Sequence, residues 1–214
     1  MTQTPTVARA PVKACQPLVA AVFGRMPLPL QSSRLTLRPW EEQDRAPFAA
    51  LSADTVVMEH LTPLPTLDVS NAWIDRQRAQ FAQQGFGYWA VELRETRQLI
   101  GAVGLSRPSY EAHFTPAVGV GWRLARPFWG CGYASEAARE ALRFGFEELG
   151  LDEIVATTIP ANLRSRQVMR RLGMTYSSAD DFDHPHLPEG HPRRRCVLFR
   201  LTRQDWGRTR SVAG

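Results

Sequence analysis

The strongest constraint in the chain is a glycine-bearing turn, Trp129-Gly130-Cys131-Gly132-Tyr133, set between a strand pattern and a helix pattern. Residues 117–125, AVGVGWRLA, read as a strand. Residues 132–149 place Ala137, Ala138, Ala141, Leu142, Phe146 and Leu149 along a helix that Gly150 stops. The first N–H groups of such a helix have no internal acceptor, and the dipole makes that end positive. Glycines let a ligand oxygen approach the backbone, so the arrangement suits a phosphate. Two nucleotide loops are excluded. No lysine follows the glycines, as a P-loop requires, and Ser135 stands where a dinucleotide fingerprint needs Gly or Ala. Alone, the turn reads equally well as a tight turn or as a binding loop.

The rest of the chain alternates strands and helices. Strand patterns cover 34–39, 88–95, 99–107, 153–159, 174–178 and 195–202, beside the one at 117–125. Helix patterns cover 41–53, interrupted by Pro47, then 67–85, closed by Gly85, and 162–172, closed by Gly173. This predicts one mixed α/β, or α+β, domain over 31–206. Residues 1–30, rich in Pro, Ala and Thr, read as a tail with a weak apolar patch, PLVAAVFG; a targeting signal there is the lesser reading. Residues 207–214 read as a second tail.

Composition narrows the function classes. Three of the five net positive charges come from Arg9, Lys13 and Arg25 in the tail, so the domain carries little of the charge that nucleic-acid binding needs. No apolar run approaches the roughly 20 residues of a membrane span. Three scattered cysteines, Cys15, Cys131 and Cys196, argue against a disulfide framework and for a reducing, cytoplasmic setting. Lys13 is the sole lysine, which removes Schiff-base chemistry from the domain. His184, His186 and His191 cluster with Asp181 and Asp183, but Pro185, Pro188 and Pro192 break the segment, and no metal is expected.

A second motif, IPANLRSRQVMRRLGM, supplies the partner to the glycine turn. Asn162 suits a helix N-cap, and Ser165, Val168, Met169 and Leu172 share one helical face. A serine on that apolar stripe either bonds back to its own helix or faces a site.

The ordered pair, VGVGWRLARPFWGCGYASEA followed by PANLRSRQVMRRLGM, resembles the GCN5-related N-acetyltransferase (GNAT) superfamily, and within it the RimJ/RimL type that acetylates protein N-termini. The resemblance covers about 31 to 205. It implies a central, mostly antiparallel sheet of six to seven strands, helices on both faces, and a splayed strand pair at 118–124 and 153–159. It further implies that acetyl-CoA lies in the splay as co-substrate. The pantetheine arm would lie along Val120, Trp122 and Leu124, and the pyrophosphate on the loop Trp129, Gly130, Cys131, Gly132, Tyr133, Ala134 and Ser135. Trp129 departs from the Gln or Arg common at its position; since backbone amides do the binding, the cofactor reading stands.

The implied reaction is direct attack of an amine on a thioester. It needs a neutral amine, an oxyanion donor and a proton for the leaving thiolate. Many relatives use a tyrosine as the acid; Met169 occupies that position, which leaves Ser165 as the acid, as in RimJ/RimL-type enzymes. Asn162 would position the pantetheine or sulfur. Glu92 is the candidate base, facing either the cleft or solvent, with Glu111, His113 or a water chain behind it. The acceptor reads as a peptide α-amine. A polyamine, amino acid or aminoglycoside, and a non-catalytic acyl-CoA-binding module, remain open; an acid-lined acceptor pocket would favour the cationic small molecules. The oligomeric state, a homodimer included, is not legible.

Overall fold

The computed structural model describes residues 29–211, with side chains through Arg208. Most of the 1–30 tail lies outside the described residues. Nine strands form the sheet: β1 (Leu30–Gln31), β2 (Leu35–Arg38), β3 (Tyr88–Leu93), β4 (Leu99–Ser106), β5 (Gly119–Leu124), β6 (Glu153–Thr158), β7 (Thr175–Tyr176), β8 (Phe182–Asp183) and β9 (Arg195–Thr202). Their order is β1-β2-β3-β4-β5-β6-β9-β7, with β8 also on β9. The two beyond the expected seven are β1 and β8. Each is a two-residue pairing, too short to leave a periodic signal, and β8 sits inside the histidine-rich loop.

Every neighbouring pair is antiparallel except β5–β6, which is parallel and in register at a single point, Gly119 opposite Val155. A bond from Val155 N to Val118 O, 2.9 Å, closes that point. β5 stays zipped to β4 from Gly119 to Leu124, and β6 to β9 from Glu153 to Thr158. The two halves of the sheet therefore part immediately beyond Gly119 and leave one edge of each strand unpaired.

Among the described residues six α-helices cover the sheet: α1 (Arg45–Ala53), α2 (Thr55–Met58), α3 (Leu67–Gln84), α4 (Tyr133–Arg143), α5 (Leu163–Arg171) and α6 (Arg203–Ser211). On one face Trp89, Val91, Val103, Leu105, Val120 and Leu124 pack with Ala137, Ala138, Ala141 and Leu142 of α4. The small side chains of α4 bring its axis close to the strands. On the other face Ala90 and Ala102 lie under Trp40, which follows β2, and under Phe48, Leu51, Met58 and Ile74 from α1 to α3. The helix starts follow their capping residues: the Thr66 hydroxyl accepts from Val69 N at 3.2 Å for α3, and the Asp54 carboxylate from Val56 N at 2.9 Å for α2.

Three expected elements change form. Residues Glu42–Asp44 make a 3₁₀ turn and α1 begins at Arg45, so Pro47 falls in the first turn of the helix, where its missing N–H costs nothing. The helix expected over 132–149 is α-helical only to Arg143. Residues Phe144–Glu148 form a π turn, with Leu149 N donating to Phe144 O at 3.0 Å. The wider turn accompanies two buried aromatic contacts, Phe144 on Trp89 (centroids 5.3 Å) and Phe146 stacked on Trp206 (5.7 Å). α6, which carries Trp206, runs through residues read as tail.

β2 and β3 are locked by a buried ion network. Arg38 donates to both Asp44 oxygens, at 2.7 and 2.9 Å, and through Nε to Glu92 at 2.8 Å; all three residues are buried. Removing the cation leaves two buried carboxylates facing each other. Arg38→Leu is therefore expected to lower unfolding free energy by about 3–5 kcal/mol, measured by urea denaturation; a loss under about 1 kcal/mol would show that the network is weakly coupled to the fold.

Candidate active site

The parting of β5 and β6 opens a cleft of about 540 Å³. Its walls are the free edge of β5, the glycine turn and start of α4, the first half of α5, and α2 with His60 and Leu61. Of the residues expected there, Val120, Trp122, Leu124, Trp129, Gly130, Gly132, Tyr133, Ala134, Ser135, Asn162 and Ser165 line the cleft, and Cys131 and Glu92 do not. Cys131 is exposed on the far side of the turn, its thiol 3.6 Å from Trp129 O.

The glycine turn is pinned at its start. The Trp129 indole Nε1 donates to Leu124 O at 2.7 Å, which fastens the loop to the end of β5. Gly130 and Gly132 both take left-handed backbone, φ 78° and 82°. A Cβ at Gly130 would meet nothing within 4 Å, so the glycine answers to its φ and to open space, not to packing. The first α-helical bond of α4 runs from Glu136 N to Gly132 O at 3.0 Å. The amides of Tyr133, Ala134 and Ser135 precede it and have no helical acceptor. The Ser135 hydroxyl is buried, lines the cleft and has no partner among the described residues. Unengaged amides, an orphaned hydroxyl and a positive helix end together fit an anionic group.

Glu136 braces this turn from behind. It accepts from Ser32 Oγ (2.7 Å), Ser33 Oγ (3.0 Å), Arg34 N (2.9 Å) and Arg34 Nε (2.7 Å). Burial opposes ionisation there, but these donors outweigh it and hold the Glu136 carboxyl below its ordinary value. The Arg34 guanidinium also covers the Tyr133 ring at 4.4 Å.

On the opposite wall Asn162 Oδ1 accepts from Ser165 N at 3.1 Å, the N-cap of α5. The Ser165 hydroxyl makes no hydrogen bond with any described residue. Of the two readings open from sequence, back-bonding to the helix is absent and the side chain faces the cleft. Met169, 1% exposed, closes the floor beneath it.

Glu92 requires a correction. It is 1% exposed, with Arg38 on one oxygen and Arg97 at 2.9 Å on the other, and is no part of the cleft. Sequence left it facing the cleft or solvent; it faces neither, because its place along β3 puts it among arginines of the fold. Glu111 and His113 also lie outside the cleft, His113 beside Asp180 at 3.4 Å. In the histidine-rich loop, His184 and His191 accept backbone N–H bonds of their own turns, and Arg194 and Arg195 pair with Asp183. Arg193 donates to Leu61 O, which ties this loop to the wall of the cleft. Among the described residues no group of three His, Cys, Asp or Glu is arranged to hold a metal.

Two cleft residues escaped sequence reading. Tyr88 pairs in register with Gly104, which pairs with Gly121. A Cβ at Gly121 would stand 2.1 Å from the Tyr88 hydroxyl, and one at Gly104 would stand 2.3 Å from Tyr88 Cα. The two glycines let the ring cross the sheet and deliver its hydroxyl to the cleft beside Ser106. Burial pushes the Tyr88 hydroxyl up, against a lowering from the Ser106 bond, so it stays a donor at neutral pH. Glycine inside two adjacent strands was the available signal. The second is Arg123, which with Arg164 and Arg171 gives the lining three guanidinium groups. No Asp or Glu lines the cleft among the described residues.

Residues 34–175 match the model of the acetyltransferase (GNAT) domain family. The chain belongs to the GNAT acetyltransferases. An Aspergillus fumigatus protein named FsC-acetyl coenzyme A-N(2)-transacetylase is 30% identical over 79% of this chain; the alignment spans 62% of that longer protein. The Bacillus subtilis protein YkkB is 31% identical over 69% of this chain and 86% of its own length. The crystal structure of an acetyltransferase from Agrobacterium tumefaciens superposes with a TM-score of 0.63, at 27% identity, over 81% of this chain and 94% of that one. The GNAT fold, with its mixed sheet, is thus the architecture described above, and the chain is an N-acetyltransferase by family.

The glycine device yields a test. Gly121→Ala is expected to cost about 1–3 kcal/mol by overpacking and nearly nothing after Tyr88→Ala. A double-mutant cycle on urea unfolding measures this coupling; additive effects would mean that Tyr88 does not hold its place against Gly121.

Proposed function

We propose that this GNAT chain transfers an acetyl group from acetyl-CoA directly to a primary amine. The observation that carries the reading is the unpaired inner edge of β5, lying between the unengaged amides of α4 and the free hydroxyl of Ser165. Acetyl-CoA supplies a reactive acetyl thioester. The β5 backbone from Val120 to Leu124 offers N–H and C=O groups to the pantetheine arm. The amides of Gly130 to Ser135, with the Ser135 hydroxyl, take the diphosphate. Asn162 orients α5 through its N-cap bond. Ser165 gives its hydroxyl proton to the leaving thiolate and takes up the proton that the attacking amine loses, so the serine ends neutral, the C–S bond is replaced by the amide C–N bond, and CoA leaves as the thiol. A β5 amide near Val120 to Trp122 stabilises the developing oxyanion.

Among the described residues no carboxylate is available in the lining as a base. The same absence bears on the amine. A cleft lined by cations alone disfavours an ammonium ion and lowers the amine's pKa, so the neutral nucleophile is present without a dedicated carboxylate.

The motifs support a peptide or protein α-amine of the RimJ/RimL kind as acceptor. A second reading, a small-molecule amine, draws on two observations. Tyr88 and Arg123 in the lining are backed by Trp73 of α3, and Arg123 also by Phe48 of α1, and the 30% identical Aspergillus relative is named for an acetyl coenzyme A donor and an N(2) acceptor. The acid-free lining disfavours polyamines and aminoglycosides, whose several positive charges would find no partner. Two free thiols, Cys131 and Cys196, fit a cytoplasmic setting.

Thioester loss from acetyl-CoA, measured against short peptides, amino acids and polyamines, tests the reading. Turnover on a mono-amine is expected. Ser165→Ala should lower kcat by about 100-fold or more with little change in the KM for acetyl-CoA. Full turnover in that variant removes the acid role, and acetyl-CoA binding without turnover on any amine would make the chain an acyl-CoA-binding module.

A further inference from the structure

The face of β5 turned away from α4 carries Gly121 and Arg123, and the transfer chemistry above gives Arg123 nothing to do. Register places Arg38, Ala90, Ala102 and Arg123 in one row across β2, β3, β4 and β5. Two arginines thus end a row on the same face. Arg38 is fully paired, with Asp44 and Glu92. Arg123 forms no ion pair with any described residue. Its Nη1 lies 3.5 Å from the Ser52 hydroxyl, and its guanidinium sits 5.7 Å from the Phe48 ring and 5.6 Å from the Trp73 ring.

This cation is costly where it stands. Burial pulls the Arg123 guanidinium down to about 10, with the nearby Tyr88 hydroxyl opposing the fall, yet it remains charged at neutral pH. Ring faces and one long hydroxyl contact compensate a half-buried charge only in part. Arg123 also lines the cleft together with Tyr88 and Ser106. The other two lining arginines lie on α5; Arg164 covers Trp129 of the glycine turn at 4.5 Å. Arg123 is separated from them, on the α1 and α3 side of β5, beyond the strand edge where the thioester belongs.

We infer that Arg123 binds a carboxylate of the acceptor, which makes the acceptor a small amine carrying its own carboxylate, of the amino-acid class. One guanidinium with no second cation beside it matches one negative charge, and its planar fork takes a carboxylate with two parallel bonds. The Tyr88 hydroxyl supplies a further donor on the same face. Pairing there completes what Asp44 and Glu92 complete for Arg38. The inference rests on the transfer reading above for its placing of the acceptor, and the tests separate the two.

The first test needs no turnover. N-acetyl-L-amino acids with acidic, apolar and aromatic side chains, and their carboxamides, are titrated calorimetrically into the full chain. The acids are expected to bind on the order of 10- to 100-fold more tightly than the amides, the scale of a charge-assisted pair. Arg123→Gln should bring that ratio close to one, and Arg123→Lys should restore part of it. Equal affinity for acids and amides in the native chain, a ratio that survives Arg123→Gln, or no binding of either set would overturn the inference. If Arg123→Gln fails to fold, the acid-to-amide ratio of the native chain decides alone.

Turnover then distinguishes the two readings. Acetylation of C-terminally amidated peptides as efficient as that of free amino acids removes the carboxylate anchor and leaves acetyl transfer standing. A preference for acids over amides in binding, with no thioester loss on any amine, removes transfer and leaves the anchor.

Discussion

One register point governs the molecule. β5 and β6 meet as parallel neighbours only at Gly119 and Val155, while each is committed along its length to a partner on its outer side. Backbone N–H and C=O groups inside a protein must find partners. A strand edge left open within the fold is therefore an unfinished sheet, and an extended chain with amide groups of its own can complete it. The cleft is a consequence of how the two halves of the sheet are joined, and every wall of it is an element that must stand beside the gap.

The second constraint is electrostatic. Among the described residues the cleft gathers a helix N-terminus, three arginines and no carboxylate. Such a site pulls anions in and keeps ammonium ions out. Both effects suit the proposed transfer, in which a diphosphate is held and a neutral amine is presented. In the proposed reaction they take the place of the carboxylate base that sequence reading sought in Glu92. The acid that braces the glycine turn, Glu136, is turned away from the cleft and spent on Ser32, Ser33 and Arg34, so the positive end of α4 is not neutralised from within.

Sequence reading recovered what local pattern encodes. The glycine turn, the strands on either side of the gap and the Asn162 cap all rest on contacts within a few residues, and all were legible; for Ser165 the local pattern left two orientations open. What was missed depends on register between distant strands. Period-two alternation assigned Glu92 to a face, but only the pairing of β3 with β2 shows that Arg38 is its neighbour there. Tyr88 reaches the cleft because Gly104 and Gly121 fall opposite it on two successive strands, a coincidence that no single segment displays. The π turn at Phe144 has the same origin: Trp89 and Trp206 lie far off in the chain, and they mark where an aromatic must be placed. β8 and α6 were missed because two residues, or a polar segment anchored by one tryptophan, carry too little periodicity to register.

The two arginines of the β2–β5 row differ in how the fold compensates them. Both project from the same face, and two alanines between them leave room for Phe48 and Trp73 above. Around Arg38 the chain has provided two carboxylates in good geometry, and the cation is finished within the fold. Around Arg123 it has provided ring faces and a hydroxyl, and has opened the remaining side to a cleft. A buried charge with its partners present is most simply read as architecture, because removing either side leaves the other stranded. A half-buried charge whose surroundings withhold a counter-ion, at the wall of a cavity, destabilises the free protein relative to a bound state that supplies one. The interaction energy left unused at Arg123 is then available for selecting a ligand, and its sign restricts which ligands can use it.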